Sequence, residues 1–385
     1  MLPSEKTPKN MPPKDRVSRL VYKQALSALE EHLVIPSAPN SHYENRGILE
    51  SLVYLSIEER YAESGLEDLA STRSESTPSA DTLLYRLKKL DRKQAYSMLV
   101  SANDSVLEKL RRRGIFRKPV VAAVDLSNDN YYGEYNGLLR RSKKERGTNL
   151  FYTYASFHIV EKGKRITVFT IPVYQLDDHA TICEELIKAA WIRGIKIKKL
   201  LIDRGFYSVD VMNVLDRLKV DFLMPAIKNE RMKQAIVDYH NHLIPKMVKF
   251  KIRNSKEEEA SFGLMIYKKK EANPIPDQYI VFATNMRYSE ARKLYRKIPL
   301  EYKKRWGVET GFRVQKSIKA MTTSQNYTIR IVYQMLSVII YNLWQLANIL
   351  LAAELMVKLR EPLIKLTHLA RMFRLEIEMH SWQPK

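Results

Sequence analysis

The 385-residue chain is long enough for two or three domains and a large core, and 45% of its residues are apolar. Its 65 Lys and Arg outnumber 43 Asp and Glu, giving a formal charge of +22 that repels itself unless a polyanion neutralises it, so nucleic acid is the expected partner. The single cysteine, Cys183, excludes an internal disulfide and a Cys-rich zinc site, and the eight His lack metal-finger spacing.

Met1 to Arg16 holds four prolines and several lysines without an apolar run, and reads as a disordered tail rather than a secretory signal. Residues 17–115 are helical and charged. Ser79-Ala-Asp81 is suited to cap a helix whose Leu83, Leu84, Leu87 and Leu90 follow the helical period. Gly65 to Ala70 and the polar connection after it suggest a helix-turn-helix, a candidate for sequence-selective DNA binding; an ordinary helical bundle fits as well.

Near Lys118 the texture changes. Pro119 to Val124 is a continuous apolar run, as expected of a buried central strand. Phe151 to Val160 and Arg165 to Val173 are β-rich and joined by a turn at Glu161-Lys-Gly163-Lys164. Asp177 to Arg193 is an amphipathic helix with a glycine stop at Gly194, and Cys183 inside it is expected to be a small core residue. Lys199 to Ile202, the helix Val209 to Lys219 and the strand Val220 to Pro225 follow. The order predicts an α/β fold, a mixed sheet flanked by helices, over 116–226 and 288–350. Between them, 227–287 reads as a β-rich insertion. Its Val248 to Arg253 alternates strictly and sets Lys249, Lys251 and Arg253 on one face, where they are candidate DNA contacts. The run Arg140-Arg141-Ser-Lys143-Lys144-Glu-Arg146 is another, sequence-blind and salt-sensitive; a solvated loop is the plain alternative.

Ile331 to Ala353 carries no charge over 23 residues, but Gln334, Ser337, Asn342, Gln345 and Asn348 interrupt it, so a buried core helix is expected and no membrane span. Residues 351–385 form a helical tail.

Within the helical pattern after Tyr288 lies Tyr302-Lys-Lys-Arg305-Trp306-Gly-Val-Glu309, followed by Lys316. At about 100° per residue, Tyr302, Arg305, Glu309 and Lys316 fall on one helical stripe about 60° wide. Taken alone, the stripe could be an ordinary solvated set of ion pairs. Two further carboxylates change its reading: Asp125 follows the first apolar strand and Asp203 the Lys199–Ile202 strand, with Gly205 beyond it suggesting an uncrowded exit. Active sites of α/β sheets gather beyond such strand ends. Asp129 and Asp210 lie nearby but terminate no apolar strand. Asp125, Asp203 and Glu309 together could hold two Mg²⁺ ions about 4 Å apart, with Mn²⁺ as a substitute.

On these residues, with Ile202-Asp203-Arg-Gly-Phe-Tyr207 and Tyr341-Asn342-Leu343-Trp344, the chain resembles a DDE transposase of the insertion-sequence-four type over roughly Val121 to Trp344. The resemblance implies an RNase H-like catalytic fold and a catalytic, metal-binding triad of Asp125, Asp203 and Glu309. It also implies phosphate contacts from Tyr302, Arg305 and Lys316. Double-stranded DNA, both element ends and target, is the implied partner, with a homodimer in the DNA complex and a cytoplasmic, nucleoid-associated location. Trp306 could stack on an unpaired base or face the core. A structure-specific nuclease and a non-catalytic DNA-binding regulator stay open as alternatives.

Overall fold

The computed structural model describes residues 11–37, 41–73, 76–269 and 275–379. Helices α1 (Pro13–His32), α2 (Asn45–Ile57), α3 (Ala62–Thr72), α4 (Ala80–Lys88) and α5 (Arg92–Arg112) come first. Pro13 lies in the first turn of α1, where a missing N–H is harmless, so residues 13–16 are helix rather than tail. The rest of the expected tail, residues 1–10, lies outside the described residues. Ser79 caps α4 by accepting from the Thr82 N–H, and Asp91 caps α5 likewise from Gln94.

Then come β1 (Val120–Tyr131), β2 (Arg140–Glu145), β3 (Thr148–Glu161), β4 (Lys164–Val173), α6 (His179–Ile192), β5 (Ile197–Ile202), α7 (Val209–Arg217), β6 (Phe222–Pro225) and α8 (Glu230–His240). They are followed by β7 (Met247–Arg253), β8 (Glu259–Lys268), β9 (Tyr279–Thr284), α9 (Tyr288–Leu294), α10 (Ile298–Lys303), α11 (Trp306–Lys316), α12 (Tyr327–Glu354) and α13 (Leu366–Met379).

The strands form one mixed nine-stranded sheet in the order β2-β3-β1-β5-β6-β9-β8-β7, with β4 on β3. The β1–β5 and β5–β6 pairs are parallel. Helix α6 packs on β3 and α7 on β8. The segment read as an insertion does not leave this sheet. Strand β9 runs antiparallel to β6, with Met224 opposite Ala283, so β7 to β9 extend the same surface.

By internal contacts the chain forms two compact units: Met1–Ile115 with Lys162–Thr167 and Thr310–Lys385, and Phe116–Glu161 with Val168–Glu309. The centre of the first is α12, which is apolar enough to cross a membrane by composition, yet 89% of its most apolar window is buried inside the protein. Two of its asparagines are satisfied there. Asn342 donates to Asn103 Oδ1 (2.8 Å) and to the Thr167 carbonyl (2.7 Å), and Asn348 pairs with the backbone of Ile364. The core of the second unit is built on the apolar runs of β1, β5 and β6. Cys183 is wholly buried in it, and burial pushes its thiol up to about 12.

Candidate active site

The parallel ladder between β1 and β5 ends at the pair Val124–Ile202. Asp125 and Asp203 are the next residue on each strand, so two adjacent parallel strands deliver a carboxylate at the same level. Their surroundings differ. Strand β1 continues past Asp125, which pairs with Ser156 of β3, whereas β5 stops and the chain turns through a short 3₁₀ helix at Arg204–Phe206. Asp125 is therefore mid-strand rather than at a strand end, and its side chain is only 17% exposed. Its Oδ1 accepts from the Leu126 N–H at 2.9 Å. Burial raises its pKa to about 6; Arg305 and the Leu126 hydrogen bond oppose that rise, and Asp203 and Glu309 add to it.

Asp203 occupies the cap position of the 3₁₀ turn but makes no side-chain capping bond, so its carboxylate is not used up by local structure. Gly205 has an ordinary backbone conformation, and a Cβ there would meet nothing within 4 Å. The exposure of Asp203 is thus a property of the turn and not of the glycine.

The third carboxylate arrives differently from its helical projection. Tyr302 to Lys316 is not one helix: α10 ends at Lys303, α11 begins at Trp306, and Lys304 and Arg305 form the turn between them. The backbone tightens there into i→i−3 bonds, Arg305 N–H to Tyr302 O (2.9 Å) and Val308 N–H to Arg305 O (2.8 Å). This winding turns Arg305 inward, where it is only 7% exposed. Its Nη1 donates to Asp125 Oδ2 (2.8 Å) and its Nη2 to Glu309 Oε1 (2.5 Å), with Asp203 Oδ1 at 3.9 Å from Nη2. A single guanidinium thus stands among Asp125, Asp203 and Glu309.

Strand β5 holds the turn in place. Tyr302 donates to the carbonyl of Ile202 (3.3 Å), next to Asp203, and its ring meets Phe282 edge-on. Burial pushes its phenol up to about 12. Lys199, buried on β5, pairs with Glu301 at 3.6 Å. Neither Lys199 nor Glu301 was singled out in the sequence, although a lysine opening an apolar strand was a signal. His179, stacked on Phe206 beyond Asp203 with centroids 4.5 Å apart, also went unremarked.

The other candidates are dispersed. Trp306 is 56% exposed, which decides against a core position. Lys316 is exposed in the last turn of α11. The run from Arg140 forms edge strand β2 instead of a loop. Arg140 is half-buried against His179 (3.2 Å), Arg141 lies over Tyr135, and Lys143 and Lys144 are exposed. On β7, Lys251 pairs with Glu259 (3.0 Å) and Arg253 with Glu259 (2.7 Å) and Glu257 (3.2 Å), while Lys249 makes no ion pair among the described residues. His240 bonds the Tyr279 hydroxyl at 2.9 Å.

Three carboxylates are a hard-oxygen donor set suited to Mg²⁺ or Mn²⁺, and against one guanidinium they leave two negative charges unbalanced. The chemistry of the residues fits a divalent cation. As they lie around Arg305, however, no three Asp, Glu, His or Cys among the described residues are grouped closely enough to hold one.

The sequence matches the family described as the transposase DDE domain over residues 135–343, more than half of the chain. The protein belongs to that family. The match takes in Asp203 and Glu309 and begins beyond Asp125. Among solved structures, the fold is similar to the piggyBac transposase synaptic complex with hairpin DNA, with a TM-score of 0.55 and 11% identity, covering 97% of this chain and 81% of that one. No curated protein matches the chain.

Proposed function

We propose that this DDE-family protein is a transposase of the insertion-sequence-four type, with an RNase H-like catalytic sheet. It would nick DNA at element ends and join the freed 3′-hydroxyl to target DNA. The observation that carries the reading is the adjacency of Asp125 and Asp203 beyond the last β1–β5 pair, with Glu309 brought to the same guanidinium. Asp125, Asp203 and Glu309 would hold divalent cations, Mg²⁺ or Mn²⁺. Bound there, the metal would supply activation of the attacking oxygen and stabilisation of the leaving oxygen.

The chain's own residues do the rest. Tyr302 and the Lys199–Glu301 pair keep α10 on β5, so the carboxylates stay in register with the strand ends. Arg305 offers a planar fork to a phosphate, and Lys316 a point charge. The exposed ring of Trp306, with the Lys303 ammonium 5.7 Å from its centroid, suits stacking on an unpaired base. The net charge of +22 supports sequence-blind grip on both element-end and target duplexes, with a homodimer assembled on the DNA.

The test uses purified full-length protein and a plasmid carrying the gene with its flanking DNA. Asp125→Asn, Asp203→Asn and Glu309→Gln should each lower Mg²⁺-dependent nicking on the order of a thousandfold while leaving DNA binding largely intact. Undiminished nicking by any one of them would falsify the triad. Nicked but never joined products would favour a structure-specific nuclease, and DNA binding without nicking a regulator.

A further inference from the structure

We propose that Arg305 is a resident counter-cation that competes with divalent metal for Asp125, Asp203 and Glu309, so that metal enters only as the guanidinium withdraws. The inference rests on the reading of these three residues as metal ligands, and adds a control on their use.

The geometry points to exchange rather than coexistence. The two amino ends of the guanidinium reach different carboxylates, Asp125 at 2.8 Å and Glu309 at 2.5 Å, so the group lies among the ligands and not beside them. A Mg²⁺ ion bonds oxygen at about 2.1 Å and would press on those same N–H groups while facing a like charge. With the guanidinium seated, the three carboxylates do not form a single group that could hold an ion. The seat is also incomplete: Arg305 Nε is buried and makes no hydrogen bond, so only the amino side of the fork is satisfied. Carboxylate attraction therefore holds the group, and a cation that takes over the carboxylates removes that hold.

The backbone does not need to move for this. The turn bearing Arg305 is fixed to β5 through Tyr302 and the Lys199–Glu301 pair, which leaves the rotatable side chain as the moving part. A withdrawn guanidinium becomes a fork for a phosphate oxygen pair. A phosphate that keeps Arg305 away would raise metal affinity, and by linkage metal would raise phosphate affinity.

The experiment is Mn²⁺ titration followed by electron paramagnetic resonance, without DNA, on full-length wild type, Arg305→Gln, Arg305→Lys and Glu309→Gln. Arg305→Gln should bind Mn²⁺ on the order of tenfold more tightly or better, because a like charge has left the seat. Arg305→Lys keeps a cation but loses the fork that spans two carboxylates, and should fall between. Thermal melting checks that each variant is folded. Affinity in folded Arg305→Gln equal to or weaker than wild type overturns the proposal, since a purely phosphate-binding or structural arginine predicts that outcome. If Arg305→Gln does not fold, Arg305→Lys decides by the same criterion. Mn²⁺ binding by folded Glu309→Gln as tight as that of wild type would instead sink the metal-ligand reading, and this proposal with it.

Discussion

Two buried guanidiniums in this protein have opposite electrostatic surroundings. In the helical unit, Arg73 donates to Glu50 at 2.6 Å, and that one carboxylate also accepts from Arg46 (3.2 Å) and the Tyr22 hydroxyl (3.3 Å). In the sheet unit, Arg305 faces three carboxylates. At Glu50 the negative charge is fully met by cations and donors, so nothing further is attracted and the set serves as structure. Around Arg305 the negative charge exceeds the positive, and the excess is what can recruit cations. Burial alone does not separate the two cases, since both arginines are 7% exposed; the local charge sum does.

The largest expected effect tests the closed set. Glu50→Gln removes the negative charge that Arg73 and Arg46 share, at a site where Glu50 itself is only 1% exposed, and should cost about 3–5 kcal/mol in urea unfolding of the full chain. A loss below about 1 kcal/mol would show that Arg73 finds other partners, and the comparison would fail on that side.

The open set should respond to pH instead. Asp125 has its pKa raised from 3.8 to about 6, chiefly by burial. The folded protein resists ionising it, so its contribution to stability is full below about pH 4 and is lost as pH rises through 6. Asp125→Asn cannot ionise and should gain on wild type by up to roughly 3 kcal/mol between those limits, then run parallel above pH 7. Melting temperatures measured at steps from pH 4 to 8 give the difference directly. A difference that grows only above pH 7 would rule this out.

A matched pair of tyrosines sharpens the contrast. Tyr22 and Tyr302 both donate at 3.3 Å, one to the Glu50 carboxylate and the other to the Ile202 carbonyl. Each Tyr→Phe change should cost about 1 kcal/mol of stability, rather more at Tyr22, whose acceptor is charged. Only Tyr302→Phe should also slow nicking, because it loosens the strand end that carries Asp203. Equal nicking by both variants would remove the positioning role of Tyr302.

Much of this arrangement was legible before the structure. An apolar strand followed by Asp125, and a second followed by Asp203, marked two carboxylates in the buried middle of a mixed sheet; the parallel pairing that puts them at one level comes from the β1–β5 ladder. The five polar interruptions of α12 marked a protein core, and Asn342 and Asn348 do find partners there. The direction of Arg305 was not legible. A 100° projection assumes an unbroken helix, and nothing in Lys303-Lys-Arg-Trp306 announces the i→i−3 turn that aims the guanidinium at Asp125. Strand β2 was equally hidden, since Arg140 to Glu145 has no apolar alternation and is defined by its pairing with β3. The union of β9 with β6 is a contact between distant residues that local pattern cannot express.

The smallest expected effect extends the same distinction to the surface. Lys249, Lys251 and Arg253 share one face of β7, and sequence alone makes them equivalent DNA contacts. Their partners make them different: Glu259 meets both Lys251 and Arg253, and Glu257 adds to Arg253. A cation already paired must give up that partner to meet a phosphate, whereas Lys249 has none to give up among the described residues. If this face touches DNA, Lys249→Ala should reduce the slope of log affinity against log salt by about 0.9, and Lys251→Ala by less. Filter-binding of a duplex at several salt concentrations measures both. Equal slopes for the two variants would mean that exposed pairs of this kind do not restrain their cations, as the small worth of surface ion pairs allows, and the open-versus-closed distinction would then hold only for buried groups.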